Sequence, residues 1–144
     1  MIFVVDTNIV FSGLLRNSTV RELLMMAPFE LIAPETILLE IRKHEQQIIE
    51  RSNLNKEEFE ILFSLLTENI QIIRKEMYEE KISEAKELIE KEEAGDVPFL
   101  ALALSVTNDG IWTQDKHFQA QKKVKIWNTI EMIEKFRETV DDER

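Results

Sequence analysis

A parallel α/β fold is what this sequence predicts, and three observations carry the prediction. Short apolar runs rich in β-branched residues occur at Ile2–Val5, Leu31–Ala33, Ile70–Ile73, Ile111–Trp112 and Val124–Trp127, which gives about five strands. Helical periodicity fills the segments between them, and that alternation builds strand–helix–strand units. Ile2–Val5 is apolar throughout instead of alternating, as a strand buried on both faces is. At 144 residues the chain suits one domain that buries roughly two-thirds of its unfolded surface. It carries no internal repeat or low-complexity linker.

Each element has a local reason. Ile2-Phe3-Val4-Val5 opens as a buried strand and Asp6 ends it, with a short helix expected through Leu15. Ser18 is placed to cap a second helix, with Glu22 near its start. After the strand at Leu31–Ala33, Pro34 suits the first turn of a long helix to about Ser52, because its missing N–H costs nothing there. Asn55 and Glu58 form a capping-box pattern before a helix over Phe59–Glu68. Residues 77–92 predict a charged helix with an apolar stripe of Tyr78, Ile82, Ala85 and Ile89. Ala94-Gly95 breaks it. Asp96 is then placed to cap a helix through Val106 that is apolar nearly all round and therefore central. A short helix is expected through Gln121, and Asn128 with Glu131 repeats the capping-box pattern before the last helix, which carries Ile130, Ile133 and Phe136. Residues 1–140 are expected to form the domain, with 141–144 a frayed acidic tail.

Composition excludes several classes. The absence of cysteine removes disulfide scaffolds, thiol nucleophiles and cysteine-based metal sites, and two histidines are too few for a histidine cage. Phe99–Val106, the longest apolar run once Ser105 is allowed, is too short to span a bilayer, and the first residues lack a basic leader. No membrane association and a cytoplasmic location are the expectations. The net charge is −10, and residues 76–96 hold eight Glu and one Asp against three Lys. That argues against a uniformly basic face for tracking phosphates, although bound divalent ions can supply the missing positive charge. Of the six Asp, Asp109 lies in an Asn-Asp-Gly turn and Asp141 and Asp142 lie in the tail. Asp6, Asp96 and Asp115 remain. Asp6 and Asp115 follow strands directly, on the rim where open parallel sheets place their ligand sites.

Four pieces stand in order: Asp6-Thr7-Asn8 after the first strand, Pro34-Glu35 with Glu40 beyond, Asp96-Val97-Pro98 running into Ala101 and Ala103, and Thr113-Gln114-Asp115. In that order and spacing they resemble the PIN domain, a nuclease fold with clustered acids, over residue 2 to about 127. Among PIN proteins the chain is similar to small prokaryotic ones of the VapC type, many of them toxins of toxin–antitoxin pairs. The resemblance implies a three-layer α/β/α sandwich on a five-stranded parallel sheet. It implies an endoribonuclease that hydrolyses phosphodiester bonds of single-stranded RNA with Mg²⁺ or Mn²⁺, with Asp6, Glu40, Asp96 and Asp115 as the metal-binding, catalytic acids. It also implies a homodimer and an antitoxin partner. Hard cations take oxygen ligands, and clustered carboxylates repel one another without a cation. Thr7, Asn8 and Thr113, with Ser12 a weaker candidate, are suited to orient those acids by hydrogen bonds.

Other readings stay open at this stage. Asp6, Asp96 and Asp115 each also fit helix capping, and Glu40 falls at the edge of the arc set by Ile37, Ile41 and Ile48. His44, Arg42, Lys43 and His117 read as surface residues, and Glu93 as a peripheral metal contact. Apolar residues at Leu23–Met26 and Leu38-Leu39 exceed what one small core needs, which agrees with a dimer. A catalytically silent PIN-like scaffold that binds RNA or protein is the alternative function, and retention of all four acids argues against it. A receiver-like phosphoacceptor needs an Asp near mid-chain, and none occurs between residues 6 and 96. An Asp-x-Asp phosphatase is disfavoured because Asn8 holds the second position.

Overall fold

The computed structural model describes residues 1–89 and 94–142. Its centre is β1 (Ile2–Val5), whose Phe3, Val4 and Val5 are fully buried. Such a strand needs a neighbour on each edge and cover on each face, and the fold supplies both. β2 (Glu30–Pro34), β3 (Ile70–Ile73), β4 (Ile111–Trp112) and β5 (Ile126–Trp127) complete one sheet in the order β3-β2-β1-β4-β5, every pair parallel. The register sets Val4 beside Ile111 and Val5 beside Trp112. Helices flank the sheet in a three-layer α/β/α arrangement. The chain moves outward from β1 to β2 and β3, then returns to the other side of β1 for β4. The strand order therefore switches between β1 and β4, where such sheets open a crevice at their carboxyl ends.

The helices are α1 (Thr7–Leu15), α2 (Ser18–Met26), α3 (Thr36–Lys43), α4 (Glu45–Ser52), α5 (Lys56–Thr67), α6 (Ile82–Ile89), α7 (Val97–Ser105) and α8 (Thr129–Asp142). α7 packs on β1, β2 and β4 with α6 against it, while α1 packs on α2, α3, α4 and α5. The central place of α7 follows from its composition: Val97 and Phe99 through Ala103 are all buried. Both capping boxes form, with Asn55 and Glu58 exchanging bonds of 2.8 and 3.0 Å, and Asn128 and Glu131 doing the same.

Several expectations are corrected. Asn17, not Ser18, caps α2, its side-chain oxygen accepting from the Val20 amide at 3.0 Å. Pro34 ends β2, paired with Ile73, and the expected long helix is two, broken at His44 (φ −105°). Ile37, Ile41 and Ile48 are buried and share a face in either arrangement, so hydrophobic period is blind to the break. The charged helix is likewise shorter. Two 3₁₀ turns, Lys75–Met77 and Glu79–Lys81, precede α6 and flank the buried ring of Tyr78; residues 90–92 of the expected helix lie outside the described residues. Ala85 and Ile89 are buried as the stripe requires. β5 begins at Ile126, because Val124 is held in the preceding loop by the Gln121 side chain. Asp141 and Asp142 close α8 where a frayed tail is expected.

Gly110 shows how tightly β4 and β5 meet. Its φ is +134°, and a Cβ there would lie 2.3 Å from the Lys125 carbonyl oxygen and 2.7 Å from the Trp127 ring. Both the backbone angle and the space demand glycine. Gly110→Ala is expected to cost about 3 kcal/mol or more and to lower Tm by roughly 6–12 °C, read by a thermal melt followed by circular dichroism.

Candidate metal centre

Parallel strands aim their carboxyl ends at one rim, and the helices that return between them begin there. The rim collects residues from four separated segments. Asp6 follows β1, Glu40 lies in α3 after β2, Asp96 precedes α7, and Thr113 and Asp115 follow β4.

The join between β1 and β4 continues past the last strand pair. The Asp6 amide donates to the Trp112 carbonyl at 3.0 Å, and the Thr113 amide to Trp127 at 3.0 Å. This brings the Thr113 hydroxyl to Asp6, where it donates to Oδ2 at 2.7 Å. The same hydroxyl accepts from the Asp115 amide at 2.9 Å and the Asn8 side-chain amide at 3.3 Å. Asn8 returns its own oxygen to the Gln114 amide at 3.3 Å. Asp6 Oδ1 accepts from the Thr7 amide at 2.8 Å. Asp6 thus caps α1 and also presents its carboxylate at the crevice; the two readings of this residue are compatible.

Asp6 is 4% exposed and Thr113 2%. Burial pushes the Asp6 carboxyl up to about 6, against the pull of its hydrogen bonds from Thr113 and Thr7, and the charges of Asp115 and Glu40 push it further. Glu40 is raised too, mainly by burial, with the nearby Thr7, His44 and Lys43 side chains opposing. Asp115 caps the 3₁₀ turn Lys116–Ala120, its Oδ1 accepting from the His117 amide at 2.9 Å. Asp96 makes no side-chain cap bond to α7, so the capping explanation expected for it fails. Its carboxylate instead comes within 3.8 Å of His117 Nδ1, which lies 2.6 Å from Asp115 Oδ1.

One ligand atom each from Asp96, Asp115 and His117 lies within 4.8 Å of the others. His117 is the residue that sequence reading assigns to the surface, and its ring is about half exposed. Its position two residues after a capping Asp was the available signal: a 3₁₀ turn folds that side chain back onto its own cap. Ser12 is not drawn in. Its carbonyl closes α1 by accepting from Arg16 and Asn17, and among the described residues its hydroxyl has no hydrogen bond to the acids. Glu93 lies outside the described residues. The donor set fits a divalent cation, because carboxylate oxygens predominate and an ion would offset the burial and the neighbouring charges that raise Asp6.

A parallel sheet with carboxylates gathered at its switch point defines a class, the α/β domains equipped to hold a cation at the strand ends. The sequence profile of the PIN domain matches residues 4–137, and the chain belongs to the PIN domain family, generally a metal-dependent nuclease fold. No curated protein matches the chain. No helix among the described residues is long and apolar enough to cross a membrane.

The raised Asp6 carboxyl has a signed consequence for the metal-free protein. A carboxyl with a folded value above its unfolded 3.8 favours the fold while protonated, and that contribution is lost as pH rises from about 4 through about 6. Asp6→Asn removes the titration, whatever constant cost the amide adds. In chelator, the stability of the variant relative to wild type is expected to improve by up to about 3 kcal/mol between pH 4 and pH 7, measured by urea unfolding at each pH. A flat difference would contradict the buried, charged carboxylate.

Proposed function

We propose that this PIN domain is an endoribonuclease that hydrolyses phosphodiester bonds of single-stranded RNA, with Mg²⁺ or Mn²⁺ held by Asp6, Glu40, Asp96 and Asp115. The observation that carries the reading is the meeting of Asp96, Asp115 and His117 within 4.8 Å, beside a buried Asp6 whose carboxyl is raised by burial first and by the charges of Asp115 and Glu40 after that. When bound, the ion supplies positive charge and Lewis acidity at the scissile phosphate. The chain's own residues keep the acids in place: Thr113 fixes the Asp6 carboxylate and the Asp115 backbone together, and Asn8 braces Thr113. His117 joins this reading as a nitrogen ligand or as a partner that orients Asp115. Single strands are the substrate because a crevice lined by acids and their metal ions must admit a bare backbone, and among the described residues no basic helix suits a duplex groove.

The reading extends to a homodimer and a protein antitoxin. Leu23 and Leu24 belong to the core, but Met25, Met26, Leu39, Ile61 and Leu65 are exposed, Leu39 at 70%. Light scattering is expected to give twice 17.0 kDa. A cognate antitoxin would abolish cleavage when added at equal concentration.

Two measurements test the activity. Wild-type protein is expected to cut single-stranded RNA in Mg²⁺ or Mn²⁺ and not in chelator. Asp6→Asn should lower the rate on the order of 100-fold or more, since disturbing even the outer partners of a metal ligand costs 10–100-fold, while Glu57→Gln on α5 leaves it unchanged. Equal cleavage by wild type and Asp6→Asn would refute the site, and an inert wild type would favour the silent scaffold. Separately, a divalent ion at ten times its Kd should add about 1.4 kcal/mol and raise Tm by roughly 3–6 °C. The same shift with NaCl at matched ionic strength would indicate screening alone.

A further inference from the structure

We propose that the pocket between α1 and α4 receives one unpaired nucleobase of the RNA, the base beside the bond to be cut. This rests on the ribonuclease reading above. Thr7 on α1 lies beside Glu40 on α3. One helical turn further along each element, Phe11 follows Thr7 and His44 follows Glu40, and those two rings meet edge to face with centroids 5.5 Å apart. Along its own chain each ring thus stands about 6 Å beyond Thr7 or Glu40, comparable to the step from an RNA phosphate to the base it carries.

The pocket they open has a volume of about 330 Å³, at the small end for ligand sites, which suits a single flat ring system. Phe11, Leu15 and Ile48 make its apolar floor, and His44, Gln47 and Arg51 its polar rim. An aromatic floor is what an unstacked base seeks, since every base has a π-face. Gln47, whose oxygen lies 3.3 Å from His44 Nδ1, adds an amide able to read a base edge. Arg51 on the rim, and Lys43 near Glu40, place positive charge beside an otherwise acidic site, which a polyanion requires. Neighbouring Arg42 is engaged by Glu45 and Glu60. A cationic, polar rim around so small a floor favours a base over an apolar protein helix.

The test uses a short single-stranded RNA, intact or with one base removed at each position in turn, and the full chain in Mn²⁺. Removing the base next to the cut is expected to lower kcat/KM of the wild type roughly 5- to 100-fold, the range of base–aromatic stacking. Phe11→Ala and Gln47→Ala should each lower cleavage of intact RNA and make that abasic RNA relatively less impaired, the coupling a double-mutant cycle detects. Gln47 is exposed, so its variant reports even if Phe11→Ala unfolds. An intact-to-abasic ratio unchanged in both variants would overturn the proposal. So would loss of dimerisation in Phe11→Ala with that ratio unchanged, which would assign the pocket to a second copy of the chain. If wild type cuts no RNA, the ribonuclease reading fails, and the pocket is judged by binding alone. Fluorescence quenching of an oligonucleotide containing 2-aminopurine, lost in Phe11→Ala, would uphold it, and no quenching would sink it.

Discussion

The carboxylate of Asp6 sits where two requirements collide. The end of a central strand is buried by the same packing that makes the strand central, yet a charge there is costly unless its oxygens are satisfied. The fold meets this with the Thr7 amide on one oxygen and the Thr113 hydroxyl on the other. The second bond runs from the end of β1 to the end of β4 across the switch point, so stabilising the charge also closes the crevice wall. Asp115 and Asn8 then hang on the same hydroxyl. A single threonine connects the structural demand with the chemical one.

Much of this was legible in the sequence, for reasons that differ by element. The strands stood out as short runs rich in β-branched and aromatic residues, and Ile2–Val5 and Ile70–Ile73 have the bounds their composition suggests. The capping boxes were legible because their partners are three residues apart and need nothing from the rest of the chain. The order of the four acids along the chain, and the rule that ligands collect at strand ends, pointed to the rim where Asp96 and Asp115 meet.

What was not legible depends on contacts distant in sequence. The break at His44 leaves the apolar period intact, and its ring partner Phe11 lies on another helix. Tyr78 reads as part of a helical stripe, but the chain folds into 3₁₀ turns around it. His117 looks like one more polar residue until the turn after Asp115 returns it to Asp115 and Asp96. In each case the pattern of apolar residues was right and the path of the backbone between them was not.

The loop after β4 is fastened in a way that separates folding from ligand capture. Gln121, 5% exposed, donates to the Phe118 and Val124 carbonyls and accepts from the Val124 amide, while Phe118 is fully buried and Lys123 reaches Glu84 on α6 at 3.2 Å. The segment that carries Asp115 and His117 is therefore tied down by bonds that involve neither of them. Its loss of conformational entropy is settled when the chain folds, so a ligand at this rim would meet a segment already ordered.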